Sequence, residues 1–149
     1  MAEEWRRGEY TISTDPARLD LAMIYEYLNG SSYWAEGQPL EVVRRSIENS
    51  LPFGVYLGAR QIGFARVVTD YATFAWLADV FVLREFQGRG IGKWLIGVVV
   101  YHPRLPALRR WVLTTRDAHG LYAQHGFTPL SAPERFMERF VDRPDYAVT

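Results

Sequence analysis

The chain has 149 residues, is 48% hydrophobic, balances 17 Lys or Arg against 17 Asp or Glu, and contains no cysteine. Its length suits one compact domain with a sizeable core, and its neutral balance gives no electrostatic case for nucleic acid or an anionic membrane as partner. The missing cysteines exclude disulfides, thiolate metal sites and Cys nucleophiles, and suit a reducing cytoplasm. Met1 to Trp5 carries no basic-then-apolar signal pattern, and the longest apolar run, near Trp94 to Tyr101, is too short to span a bilayer. The expectation is a single-domain (1–149) cytoplasmic enzyme or binding domain. Aromatic residues make up 15%, which suits a core, a ligand pocket or an oligomer surface, so a homodimer stays open.

Residues 1 to 9 are polar and read as loose. Tyr10 to Ser13 begins a strand. Asp15-Pro16 reads as a helix N-cap followed by proline in the first turn, with Leu21, Ile24, Tyr25 and Leu28 on one helical face and Asn29-Gly30 ending it. Tyr33 to Gln38 is an aromatic, glycine-containing loop. Pro39 opens a second helix with Leu40, Val43 and Ile47 on one face. Phe53 to Ala59 and Ile62 to Thr69 read as a hairpin around Arg60-Gln61, and Phe74 to Leu83 as an inner strand. The valines of Ile91 to Tyr101 alone suggest a strand; the run's length, its Gly-rich opening and Pro103 favour a buried helix. Arg109 to Thr115 is a strand, Asp117 to His125 a short helix stopped by Gly126, and Phe127 to Leu130 and Arg135 to Val141 closing strands. The order β-α-α-β-β-β-α-β-α-β-β predicts an α/β fold whose sheet is of mixed direction.

Three glycine-rich patterns compete for residues 87 to 93. A triphosphate loop needs Gly where Gln87 stands and Ser or Thr where Trp94 stands; a dinucleotide fingerprint needs Gly where Lys93 or Leu95 stands. Both fail. What remains is Gln-x-x-Gly-x-Gly through Gln87, Gly90 and Gly92, between an apolar strand and an apolar helix. A helix N-terminus offers unpaired amides and partial positive charge, and glycines let backbone approach a bulky phosphate. The alternative is an ordinary strand-to-helix turn whose glycines serve packing.

In that context the pattern resembles the cofactor signature of the GNAT superfamily of acetyl-CoA-dependent N-acetyltransferases. Downstream, Leu121-Tyr122-x-x-x-Gly126-Phe127 resembles the family's second cofactor segment. The resemblance covers residues 10 to 141. It implies a mostly antiparallel mixed sheet flanked by about four helices. It also implies acetyl-CoA as cosubstrate, bound by Gln87, Gly88, Arg89, Gly90, Ile91, Gly92 and Lys93, with Phe81 and Val82 in the preceding strand and Tyr122 beyond. Many members have Asn shortly before the Tyr; here Asp117 stands there, as an N-cap or a partner for the pantetheine arm.

Acetyl transfer needs a neutral amine, although a free alkylamine has a pKa of about 10.4, and a donor for a thiolate whose ordinary pKa is about 8.5. The resemblance puts Tyr122 near the thioester sulfur as acid and an oxyanion-binding amide around Val82; otherwise Tyr122 only packs. Asp79 is the lone acid in an apolar strand, either a proton acceptor or a structural carboxylate paired with an Arg such as Arg66. Glu36 and Asp70 are weaker bases. His119 lies three residues before Tyr122 and reads as a solvated helix residue more readily than as a catalytic one. No His pair has metal-ligand spacing, so no metal is expected. The acceptor is a small-molecule or peptide amine, and Tyr25, Tyr27, Tyr33 and Trp34 line an aromatic pocket for it or simply pack. Competing readings are a non-catalytic acyl-CoA sensor on the same fold and a protein or peptide N-acetyltransferase.

Overall fold

The computed structural model describes residues 2–30 and 37–142. Six strands form one sheet in sequence order: β1 (Glu4–Arg7), β2 (Tyr10–Ser13), β3 (Leu51–Leu57), β4 (Arg60–Thr69), β5 (Phe74–Val82) and β6 (Arg110–Val112). Neighbours are antiparallel except β5 and β6, which run parallel. The helices are α1 (Leu21–Gly30), α2 (Leu40–Glu48), α3 (Ile91–Val100) and α4 (His119–Ala123). The mixed, mostly antiparallel sheet with four helices is the architecture expected.

Two apolar layers enclose the sheet. One joins α1 and α2 through Ile24, Leu28, Val43 and Ile47 to Phe64 and Phe81. The other joins α3 through Ile91, Leu95, Ile96 and Val99 to Phe53, Val55, Ile62 and Leu77, with Tyr122 of α4 at its edge. The valines of α3 are therefore helical, because a helix covering this face buries more apolar surface than a strand there would.

Several local expectations are corrected. Residues 4–7 are not loose: Trp5 packs against the α3 layer, and β1 pairs with β2 from Glu4↔Ser13 to Arg7↔Tyr10. Asp15 caps only a 3₁₀ turn (Pro16–Arg18), accepting from the Ala17 amide; Asp20 accepts from the Met23 amide at the start of α1. Leu40 is 48% exposed and does not join Val43 and Ile47 in the core. The β3–β4 turn sits at Gly58-Ala59, two residues earlier than expected, because Gly58 takes φ +60. No strand forms between 127 and 141. Those residues carry strand-like side chains and residues 126–131 pass beside the open edge of β6, but β6 is only three residues long and no ladder pairs with it there among the described residues.

Glu3 anchors β1. It accepts from Thr14 Oγ1 (2.7 Å) and from Arg104 (3.1 Å at each oxygen), and lies 3.2 Å from His102 Nε2. His102 is buried between Trp5 and Phe53. Its Nδ1 accepts from the Arg104 amide at 3.0 Å, which places the neutral ring's proton on Nε2, facing Glu3. Burial pushes the His102 pKa down. Burial would raise that of Glu3, but the bonds from Thr14, Arg104 and His102 together outweigh it and hold it low.

Candidate active site

Strands β5 and β6 pair at only three positions, Phe74↔Arg110, Ala75↔Trp111 and Trp76↔Val112. Beyond Trp76 they diverge, and a cleft of about 520 Å³ opens between Leu77–Val80 on one wall and Thr114–Ala118 with Tyr122 on the other. Open α/β sheets bind ligands where neighbouring strands part in this way.

The β5 wall is bulged. Phe64 pairs with Phe81 and Arg66 with Ala78, so Ala65 faces two residues, Asp79 and Val80. Asp79 absorbs the extra residue at φ +54, a left-handed conformation that Asp tolerates better than most side chains. Its Oδ2 lies 2.6 Å from Arg66 Nε, and the two side chains are 9% and 17% exposed. Arg66 also donates to Ser50 Oγ at 3.1 Å. Asp79 thus lines the cleft as an ion-paired carboxylate. After the bulge, the Leu83 amide donates to Ile62 O on β4 at 2.8 Å. By two-residue alternation, the amide of Val82 faces away from β4, and Val80 lines the cleft.

Tyr122 is 8% exposed and stands edge-to-face on Phe127 at 5.8 Å. Asp117 lines the same cleft but does not cap α4. Ala118 holds the N-cap position, its amide donating to Thr115 Oγ1 at 3.0 Å, because the hydroxyl sits three residues back where the turn closes. His119 is exposed and is not among the cleft's lining residues.

At the far end of β5, a 3₁₀ turn (Arg84–Phe86) leads into the glycine loop. Gln87 Nε2 donates back to Val82 O at 2.8 Å, tying the loop to the strand. Gly88 and Gly90 have φ +79 and +80, and Gly90 begins α3 with no side-chain cap. The first intrahelical bond runs from Trp94 N to Gly90 O, so the amides of Ile91, Gly92 and Lys93 have no partner within the helix. A side chain at Gly88 or Gly92 would meet nothing within 4 Å. Open amides at the start of a ten-residue helix suit a pyrophosphate. Arg89 is held by Tyr10 OH at 3.1 Å and lies over Phe86. Lys93 lines a shallow groove of about 540 Å³ with Gly90 and Arg7. Arg7, which the sequence gave no reason to single out, reaches the loop from β1, Nη1 lying 3.5 Å from Gly90 O.

Other expected residues lie elsewhere. The Phe81 side chain stacks on Tyr27 at 3.9 Å within the α1–α2 layer, and Phe81 is not among the cleft's lining residues. Tyr25 packs against that same layer. Tyr33, Trp34 and Glu36 lie outside the described residues. Asp70 is spent on its own turn: the Thr73 hydroxyl and the amides of Thr73, Ala72 and Phe74 donate to it and hold its pKa well below the carboxylate range. Trp76, Thr114, Thr115 and Arg116 line the cleft without any motif having marked them. No cluster of three or more His, Asp or Glu able to hold a metal occurs among the described residues.

Residues 49–129 match the family model for the acetyltransferase (GNAT) domain. A candidate acetyltransferase of Gibberella zeae is 31% identical over 143 residues, covering 83% of this chain and 81% of its own. The crystal structure of a candidate GNAT-family acetyltransferase from Xanthomonas campestris pv. campestris superposes with a TM-score of 0.87 at 49% identity, over 94% of this chain and 97% of the other. A GNAT family acetyltransferase from Elizabethkingia anophelis, solved with acetyl-CoA bound, shares the fold at 16% identity, TM-score 0.63, over 93% and 92% of the two chains.

Proposed function

The chain belongs to the GNAT acetyltransferase family, and we propose that it transfers the acetyl group of acetyl-CoA to a primary amine by direct attack in a ternary complex. The observation that carries this reading is the cleft between β5 and β6, with Tyr122 on one wall, Asp79 on the other and the glycine loop at the end of the β5 wall. When bound, acetyl-CoA supplies an activated acyl group and a thiolate leaving group. The amides of Ile91, Gly92 and Lys93 hold its pyrophosphate, with Gln87 fixing the loop and Lys93 adding charge. A backbone amide of β5 around Val82 is the preorganised donor for the oxyanion, usually the largest single contribution to acyl transfer. Tyr122 gives its hydroxyl proton to the departing thiolate. Asp79, kept in place by Arg66, takes the amine's proton through water.

The described part of the cleft carries balanced charge. Among the described residues, Arg66 and Arg116 offset Asp79 and Asp117. A balanced site suits a monoamine or a zwitterion better than a polycation, which needs several carboxylates. The test is CoA release from acetyl-CoA against a panel of amino acids, aryl-alkylamines, polyamines and aminoglycosides. Turnover with a monoamine or an amino acid is expected. Tight acetyl-CoA binding with no turnover on any amine would favour a sensor.

A further inference from the structure

Arg66 has more hydrogen-bonding capacity than the fold uses. Its Nε donates to Asp79 Oδ2 at 2.6 Å and its Nη1 to Ser50 Oγ at 3.1 Å. A guanidinium spreads its N–H donors over three nitrogens in one plane. Nη2 makes no hydrogen bond among the described residues, yet it is not one of the buried polar atoms left without a partner. Arg66 itself lines the cleft between β5 and β6. Its spare N–H groups are therefore open to that cleft, on the same guanidinium that holds Asp79.

The register of β4 and β5 fixes what surrounds this donor. Arg66 lies directly opposite Ala78, so the two side chains share a face of the sheet, and Trp76 joins them by two-residue alternation. Trp76, Ala78 and Asp79 line the same cleft. Ala78 carries only a methyl group, which leaves room above the guanidinium, and Trp76 supplies an aromatic wall beside it. The cleft thus brings together an anchor for an anion, a carboxylate in contact with that anchor, and an apolar surface.

These features fit one class of acceptor. Asp79 and Arg66 touch, so a ligand that meets both must carry its amine and its own anion close together. An α-amino acid does, because its amine and carboxylate share one carbon. The carboxylate takes the spare donors of Arg66, the amine faces Asp79, and each charge lies beside its opposite. A simple amine would instead bring a second cation next to Arg66 and leave those donors unused. The substituent on the α-carbon meets Trp76, which suits an apolar or aromatic side chain. We infer that the acceptor is an α-amino acid with an apolar or aromatic side chain, anchored through its carboxylate on Arg66. The transfer forms the amide N–C bond and breaks the thioester C–S bond. The amine proton passes toward Asp79, the thiolate takes the Tyr122 proton, and CoA and an N-acetyl amino acid leave. The inference rests on the acetyl-transfer reading for its chemistry but not for its binding.

The experiment pairs each amino acid with the amine that remains when its carboxylate is removed: phenylalanine with phenethylamine, tryptophan with tryptamine, leucine with isoamylamine. At saturating acetyl-CoA, kcat/KM should favour the amino acid by about 10–100-fold, the range expected for a charge-assisted hydrogen bond. Phenylalanine methyl ester, which lacks the negative charge, should behave like phenethylamine. Arg66→Lys keeps a cation beside Asp79 but must serve Asp79, Ser50 and the ligand from one nitrogen, so KM for phenylalanine should rise about tenfold more than KM for phenethylamine. Calorimetry of the amino acids on protein saturated with CoA, which has no acetyl group to give, separates binding from chemistry. Arg66-dependent binding without turnover would uphold the amino-acid site and reject acetyl transfer. Amines used as well as or better than the amino acids would reject the amino-acid site and leave acetyl transfer standing. Amino acids that neither bind nor turn over would overturn the inference outright.

Discussion

Replacing Asp79 by Asn removes one charge from an ion pair that the fold has almost closed to solvent. The pair spans 2.6 Å, with 9% and 17% of the two side chains exposed. Asn tolerates the φ of +54 and its amide oxygen still accepts from Arg66 Nε. Arg66 keeps that bond and the one to Ser50 but loses its counter-charge. Exchanging the charged acceptor for a neutral one at such a site costs about 1–3 kcal/mol, or several degrees of melting temperature for a chain of this length. Ala at the same position would also remove the acceptor and add about 1–2 kcal/mol of left-handed strain, so Asn is the cleaner substitution. If Asp79 takes the amine proton, turnover of Asp79→Asn near neutral pH should fall about 10²–10⁴-fold. The deficit should shrink with rising pH, because the amine, with a pKa of about 10.4, deprotonates unaided at about tenfold per unit. The assay is a pH–rate profile of both proteins at saturating acetyl-CoA, with CoA affinity measured alongside. Profiles equal in shape and height would refute proton acceptance and leave Asp79 as the residue that holds the bulge.

Tyr122→Phe removes a hydroxyl but keeps the ring on Phe127; CoA affinity should hold while turnover drops by about 10²–10⁴-fold, and an unchanged single-turnover rate would reduce Tyr122 to packing. Gly90→Val forces a β-branched residue to φ +80, at a cost of about 1–2 kcal/mol, so the protein should fold yet bind CoA at least tenfold more weakly in calorimetry; wild-type affinity would unseat the glycine loop as the pyrophosphate site. His102 is held neutral, its folded pKa below the unfolded value of about 6.5, so its stabilisation is complete above that pH and is lost as pH falls toward the folded value. Glu3, with its pKa also lowered, loses stabilisation in the same direction at lower pH, below about 4.3. Melting temperature should therefore decline from pH 7 toward pH 4. His102→Asn should flatten the part between pH 7 and 5, and parallel curves would contradict the assignment.

What the sequence disclosed follows from how local each signal is. The glycine loop was legible because its turn depends on backbone freedom, which Gly88 and Gly90 supply at φ +79 and +80. The α3 helix was legible from its length and its glycine-rich opening, despite its valines. β1 was not, because Glu4-Trp5-Arg6-Arg7 has one apolar residue and owes its strand to pairing with β2 and to Trp5 packing, both tertiary effects. Residues 127–141 erred the other way: their side chains favour a strand, but strand formation is decided by a partner edge. Asp79 stood out as an acid in an apolar strand, yet neither the bulge nor its positive φ has a sequence signature, since both depend on the register between β4 and β5. Arg7 came to the glycine loop only because the unforeseen hairpin carried it there.

The three residue pairs joining β5 to β6 also bear on how the molecule comes apart. The segment from Arg110 to Phe127 is fastened to the rest of the sheet through that short seam and the apolar packing of Trp111, Leu113, α4 and Phe127. A region held by so few ladder bonds opens by local fluctuation at a free-energy cost well below that of global unfolding. A molecule occupying the parted walls would touch both and supply cohesion that the missing ladder does not. Binding energy would then appear as slower amide exchange in β6 and α4 rather than evenly across the sheet, and the C-terminal third would tighten most when the cleft is filled.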